Sequence, residues 1–245
     1  MELDGKVALV TGAARRLGRA IALGLAGRGA KLIVHYGRSR EDAEAVAAEI
    51  EGLGNSAATL RANLNDLQEV QNLVQEAPRA FGPIDILINS ASVFHRTPLG
   101  SVTPEQWNEL LDTNLRAPFF LAQAFGTVMK ARGGGKIINL GDATMPYAVA
   151  DFTPYAASKA GLEAITRGLA RALAPEVQVN AILPGPVLPA QGGEADQWDK
   201  AIGQTVLKRP GAPEDIVEAV LFLLEKGDFL TGVFLPVDGG RSLGR

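Results

Sequence analysis

Tyr155 and Lys159 stand four residues apart in Thr153-Pro154-Tyr155-Ala156-Ala157-Ser158-Lys159-Ala160-Gly161, a stretch of small residues that follows a strand pattern and reads as the start of a helix. At that spacing the two side chains share one helical face. A phenol titrates near 10 and a lysine near 10.4 in isolation, so an ammonium one turn away is expected to lower the cost of the phenolate. A tyrosine poised in this way is a candidate general acid, giving a proton to a substrate atom as hydride arrives on its neighbour.

A second constellation lies near the N-terminus, where a short apolar run ends in Thr11-Gly12-Ala13-Ala14-Arg15-Arg16-Leu17-Gly18 and a helix pattern begins. Gly12 permits a sharp turn, Gly18 permits close helix-to-sheet approach, and the N–H groups at the helix start, around Arg15 to Gly18, offer themselves to a pyrophosphate. Arg16 stands where the commonest dinucleotide pattern has a glycine. It either brings a permanent charge and a planar donor fork to phosphate or substrate, or it is a solvated arginine at a helix end.

The next apolar run ends in His35-Tyr36-Gly37-Arg38-Ser39-Arg40. A dinucleotide without a 2′-phosphate usually meets an Asp or Glu here, and none is present. Arg38 and the Ser39 hydroxyl suit a phosphomonoester, so NADPH is favoured over NADH. His35 is read either as part of this pocket or as a strand-end packing residue.

These residues need a frame. Runs of strand length rich in Val, Ile and Leu recur at Val7 to Val10, Leu32 to Val34, Ile84 to Ile88, Ile137 to Leu140, Val177 to Leu183 and Val233 to Val237, with a weaker one at Ser56 to Ala62. Helix-period segments alternate with them, at Arg19 to Gly29, Glu41 to Leu53, Leu67 to Phe81 and Thr103 to Arg132. The alternation predicts an α/β fold, one Rossmann-type, doubly wound parallel sheet of about seven strands with helices on both faces, spanning residues 1–245 as a single domain. The Pro- and Gly-rich stretch from Pro184 to Gly193, followed by an acidic segment with Trp198, predicts a loop and lid at about 186–206.

Composition narrows the partners. A net charge of −3 with both signs dispersed supplies no basic field for nucleic acid. The chain has no cysteine, which removes disulfides, thiolate metal sites and thiol chemistry, and no metal is expected. No apolar run reaches membrane-spanning length and no signal-peptide core precedes the first strand, so a soluble, cytoplasmic protein is expected.

Several further residues fall into a pattern with those above. Asn89-Ser90-Ala91-Ser92 follows the fourth strand, Asn114 lies inside a helix, Pro184-Gly185 follows the sixth strand, and Val237-Asp238-Gly239-Gly240 lies near the end. With Thr11 to Gly18 and the Tyr155/Lys159 pair, the chain resembles the short-chain dehydrogenase/reductase family over essentially its whole length. The resemblance implies a catalytic set of Asn114, Tyr155 and Lys159, with Asn114 holding a water that relays protons to the lysine. It also implies a cofactor path along Asn63, Leu64, Asn89, Ser90 and Ala91, with Pro184 and Gly185 on the nicotinamide side. Asn63 and Ser90 depart from the family's usual residues beside the adenine.

The informative departure is Asp142, thirteen residues before Tyr155, where the family usually has a serine that donates to a carbonyl. An ionised carboxylate has no proton to give and repels an alkoxide, but accepts well from a ring N–H or the tyrosine hydroxyl. This favours a C=N in a donor-rich heterocycle over a ketone. Arg16, the His35 to Ser39 run, Asp142 and Phe94 together are similar to pteridine and dihydromonapterin reductases. That resemblance implies a pterin stacked on Phe94, bordered by Ser92 and Pro186, and a homotetramer in which the tail residue Arg245 reaches a neighbouring site. Phe94 is alternatively a core filler, and His95 and Arg96 contact either substrate or solvent. Two other functions compete: a carbonyl reductase acting on 3-oxoacyl thioesters or small ketones, and a non-catalytic NADP(H)-binding sensor or scaffold.

Overall fold

The computed structural model describes residues 1–143, 150–189 and 195–243. Seven strands, β1 (Val7–Val10), β2 (Lys31–Tyr36), β3 (Ala57–Arg61), β4 (Ile86–Asn89), β5 (Gly135–Leu140), β6 (Val177–Pro184) and β7 (Phe234–Val237), form one sheet in the order β3-β2-β1-β4-β5-β6-β7. All six pairings are parallel. The inner strands β1, β4 and β5 are buried at every position, which is why they read as unbroken apolar runs rather than alternating ones.

Helices cover both faces. Helices α1 (Arg16–Ala26), α2 (Arg40–Gly52) and α8 (Pro213–Glu225) enclose a core with Ile21, Leu25, Val46, Ile50, Val220 and Leu224. On the other face α3 (Leu67–Phe81), α5 (Ala117–Ala131) and α6 (Thr153–Leu173) pack over Leu73, Leu121, Phe125, Met129, Leu169 and Leu173. Two shorter helices, α4 (Pro104–Leu111) and α7 (Ala195–Gly203), lie between these. None of the described helices is long and apolar enough to cross a membrane.

One expectation needs correction. The segment Thr103 to Arg132 reads as a single helix, but the structure divides it into α4, a π-helical turn Asp112–Arg116 and α5. The widened turn carries Asn114, whose side chain is engaged by a distant segment. The extra residue is therefore set by tertiary contact rather than local propensity.

The sheet order reverses direction between β1 and β4. In an open parallel sheet this leaves a crevice beyond the carboxyl ends of those strands, because the loops there diverge to opposite faces. The Thr11 to Gly18 turn and Asn89 to Ala91 both open into it.

Candidate active site

Gly12 takes a φ of 65°, and a Cβ there would lie 2.9 Å from the Ala91 Cα. Only glycine permits both the left-handed turn and this approach. Thr11 joins the two turns: its hydroxyl accepts from the Ser90 N–H at 3.0 Å and the Ala91 N–H at 3.1 Å. Thr11 was not singled out from the sequence, although its place immediately before the glycine was a usable signal. No side chain caps α1 and no acidic residue sits in its first turn, so its leading N–H groups, with exposed Arg15 and Arg16 alongside, present an uncancelled positive end.

His35 is 2% exposed and lies beneath this turn rather than in the open groove. The Gly12 N–H donates to its Nδ1 at 3.1 Å, so the ring proton is on Nε2, which faces the Ala62 carbonyl at 3.1 Å. Burial pushes its pKa from 6.5 down to about 4, against the opposing effect of the Ala62 bond. The histidine is a neutral strut under the glycine turn. Arg38 is exposed, and Ser39 caps α2 without spending its hydroxyl on the helix. Both stay available at the end of β2, while Tyr36 is buried and its hydroxyl accepts from Arg40 Nε at 3.3 Å.

The remaining groove residues divide. Asn63 is exposed and Leu64 buried beside it. Asn89 is only 3% exposed and donates from Nδ2 to Asn139 Oδ1 at 2.8 Å, so its side chain is directed into the sheet. Arg15 pairs with Asp42 at 2.6 Å. Arg16 is held at a φ of 55° and donates from Nη2 to the carbonyls of Leu188 and Pro189, at 3.3 and 2.7 Å. The glycine turn is thereby tied to the beginning of the 186–206 segment. Residues 190–194 and Arg245 lie outside the described residues.

At the ends of β4 and β5, Tyr155 and Lys159 on α6 face Asp142. The Tyr155 hydroxyl donates to Asp142 Oδ2 at 2.8 Å. Lys159 is 3% exposed and its Nζ donates to the Leu140 carbonyl at 2.8 Å, lying 5.8 Å from the Tyr155 ring centroid. Burial and the Asp142 charge and hydrogen bond push the Tyr155 phenol well above its ordinary 10, with a Ser92 hydrogen bond in opposition. This corrects the expectation of an eased ionisation: withdrawal from water and a nearby anion outweigh the ammonium one turn away. Burial pushes Lys159 from 10.5 down to about 8, with Asp142 pulling the other way.

Asn114 does not present its side chain to open solvent. It grips the Val93 backbone, accepting from N–H at 2.8 Å and donating to the carbonyl at 2.9 Å, and its Nδ2 also reaches Ser158 Oγ at 3.2 Å. That clamp sets the loop carrying Ser92 and Phe94. The Phe94 ring is 49% exposed, stacks on Phe152 at 4.7 Å and 3°, and meets Tyr155 edge to face at 4.8 Å. Phe152 escaped the sequence reading, since only the fold carries the residue before α6 to the loop after β4. Pro184, Gly185 and Pro186 continue from β6 along the opposite wall, where the Pro184 carbonyl accepts from the Ala143 N–H at 3.2 Å.

A hydroxyl donor, a carboxylate acceptor, a buried lysine and an exposed aromatic face thus meet at the Tyr155 end of α6. The short chain dehydrogenase family pattern matches residues 6–200. The chain is 35% identical over 242 residues to the 3-oxoacyl-[acyl-carrier-protein] reductase FabG of Staphylococcus aureus, covering 97% of this chain and 98% of that protein. Among solved structures, a blue fluorescent protein from a metagenomic library in complex with NADPH superposes with a TM-score of 0.92 at 36% identity, covering 99% of this chain and 100% of that one. FolM alternative dihydrofolate reductase 1 from Brucella canis, complexed with NADP, gives a TM-score of 0.93 at 32% identity, covering 100% and 96%. Pattern, identity and superposition agree with one another, and the chain belongs to the short chain dehydrogenase family.

Proposed function

We propose that the protein is an NADPH-dependent reductase of a dihydropterin-type ring, with Tyr155 as the proton donor. The observation that carries the proposal is the 2.8 Å hydrogen bond between Tyr155 and Asp142. Where a carbonyl reductase needs a second donor, this site offers an acceptor, which matches ring N–H and amino groups and opposes an alkoxide. FolM, which superposes on the chain, is a dihydrofolate reductase by name.

The groove fits the cofactor. The uncapped start of α1, the Gly12 turn against Ala91 and the unspent Arg38 and Ser39 side chains supply donors for a pyrophosphate and a 2′-phosphate. Leu17, Gly18, Asn63, Leu64, Ser90, Ala91, Pro184 and Gly185 complete its walls. NADPH bound there supplies the hydride. Lys159 holds the nicotinamide ribose and keeps positive charge beside the phenol, and Asn114 fixes the loop bearing Ser92 and Phe94. Phe94 sets the plane of the substrate ring, Asp142 orients the Tyr155 proton and ring N–H groups, and Arg16 and Pro186 border the substrate. Holding the reactants face to face accounts for much of the rate.

The competing reading is a 3-oxoacyl reductase, favoured by the 35% identity to FabG; a cofactor-binding sensor is the third. NADPH consumption with a dihydropterin, dihydrofolate and a 3-oxoacyl thioester separates them. Reduction of the thioester alone removes the pterin reading, and tight NADPH binding without any turnover supports the sensor. Asp142→Ser is expected to raise thioester or ketone turnover relative to pterin.

The proposed assembly is a homotetramer. Its support is an apolar groove of about 680 Å³ between α5 and α6, lined by Phe119, Ile165, Leu169 and Leu173. Sedimentation checks it: Gly168→Arg on this face should yield smaller species, and a monomeric wild type would rule the assembly out.

A further inference from the structure

Three strand ends meet beside the site. Pro184 of β6 is paired with Val237 of β7, and a Cβ on Gly185 would lie 2.5 Å from the Asp238 Cα. The loop carrying Asp142 docks on the same strand end through the Ala143 N–H and the Pro184 carbonyl, 3.2 Å apart. The turn after β7 and the Asp142 loop therefore flank a common edge.

Buried Asp238 shapes that turn, accepting from the Gly240 N–H at 2.9 Å and the Ser242 N–H at 2.6 Å. Arg241 is thereby aimed back across the molecule, and its Nη2 donates to Oε1 of Gln204, the residue following α7, at 3.1 Å. The N–H groups of Val206 and Leu207 add two bonds to the Gly239 carbonyl, at 2.9 and 3.1 Å. Burial pushes the Arg241 guanidinium below its ordinary value, and the Asp142 and Asp238 carboxylates push back. The guanidinium is within electrostatic reach of Asp142, and an arginine retains its charge throughout.

We propose that Arg241 is a positioning residue of the reductase, tying the foot of α7 to the C-terminal turn and presenting its charge to Asp142. The catalytic part of this proposal rests on the reading in which Asp142 orients Tyr155. Among the described residues, Tyr155 and Lys159 from α6 and Arg241 from the turn feel the Asp142 charge, and Arg241 also feels Asp238. The charges of Lys159 on α6 and Arg241 on the C-terminal turn thus both bear on the Asp142 carboxylate. The planar fork serves an amide oxygen and a carboxylate field together, which a lysine reproduces only in charge.

The test uses the full chain with Arg241→Ala, Arg241→Lys and Gln204→Leu. Hydrogen exchange at Val206 and Leu207 needs no substrate, and about tenfold faster exchange is expected in Arg241→Ala and Gln204→Leu. With a dihydropterin or a 3-oxoacyl thioester, whichever the wild type reduces, Arg241→Ala should lose about tenfold in kcat with KM for NADPH unchanged. Arg241→Lys, or millimolar guanidinium added to Arg241→Ala, should restore part of kcat, which a purely structural residue would not allow. Unaltered exchange in both variants, or a kcat loss that neither lysine nor guanidinium repairs, overturns the proposal. If the wild type reduces neither compound, the functional reading fails by itself, and the exchange rates still decide whether Arg241 holds α7.

Discussion

The Tyr155 hydroxyl donates to Asp142 Oδ2 across 2.8 Å, and burial together with that carboxylate disfavours loss of the phenol's proton to water. A donor is thereby kept loaded. Tyr155→Phe removes that proton while leaving the ring and its contact with Phe94. Turnover should fall by about a thousandfold or more, with NADPH affinity measured by fluorescence titration altered by no more than about twofold. A variant with near-wild-type turnover would show that another group is the acid.

Lys159, pushed down to about 8 by burial and held up in part by Asp142, gives NADPH binding a pH dependence. As pH rises through about 8 the ammonium is lost from the cofactor-free chain, and with it the charge proposed to hold the nicotinamide ribose. NADPH affinity should weaken over that interval. Asp142→Asn removes the influence that raises Lys159, so the midpoint should move to lower pH. A midpoint that stays put or rises would mean that the two side chains are not coupled.

Arg16 occupies a left-handed conformation, φ 55°, that costs a non-glycine residue about 1 kcal/mol. Arg16→Gly removes that cost together with the bonds to Leu188 and Pro189, which lie at the exposed surface. The denaturation midpoint should hold or rise while kcat/KM falls, because the lost side chain is the one proposed to border phosphate and substrate. Loss of stability with unchanged kcat/KM would reverse the assignment.

His35, with a folded pKa of about 4 against an ordinary 6.5, makes the fold sensitive to acid. Between those values the unfolded chain binds a proton that the folded chain refuses. Stability therefore declines as pH falls from about 6.5 to about 4, by up to about 3 kcal/mol. In His35→Asn, which does not titrate, urea unfolding at pH 7 and pH 5 should differ less than in the wild type. An equal difference in both proteins would sink the idea that this ring is the sensitive group.

The local sequence determined much of the frame. The bounds read for β1 and α3, Val7–Val10 and Leu67–Phe81, coincide with the structure, because side-chain period and the Asp66 cap act over a few residues. The face shared by Tyr155 and Lys159 and the sharp turn at Gly12 are equally local, fixed by helical spacing and backbone sterics. Tertiary structure decided what those groups do. It set the direction of the Tyr155 shift through burial and Asp142, and turned the Asn114 side chain onto Val93 within a π-helical turn. It also put His35 under the glycine turn, Phe152 against Phe94, and Arg16 on carbonyls 172 and 173 residues away. Burial, field and long-range pairing depend on which strand ends lie side by side, and no window of neighbouring residues contains that information.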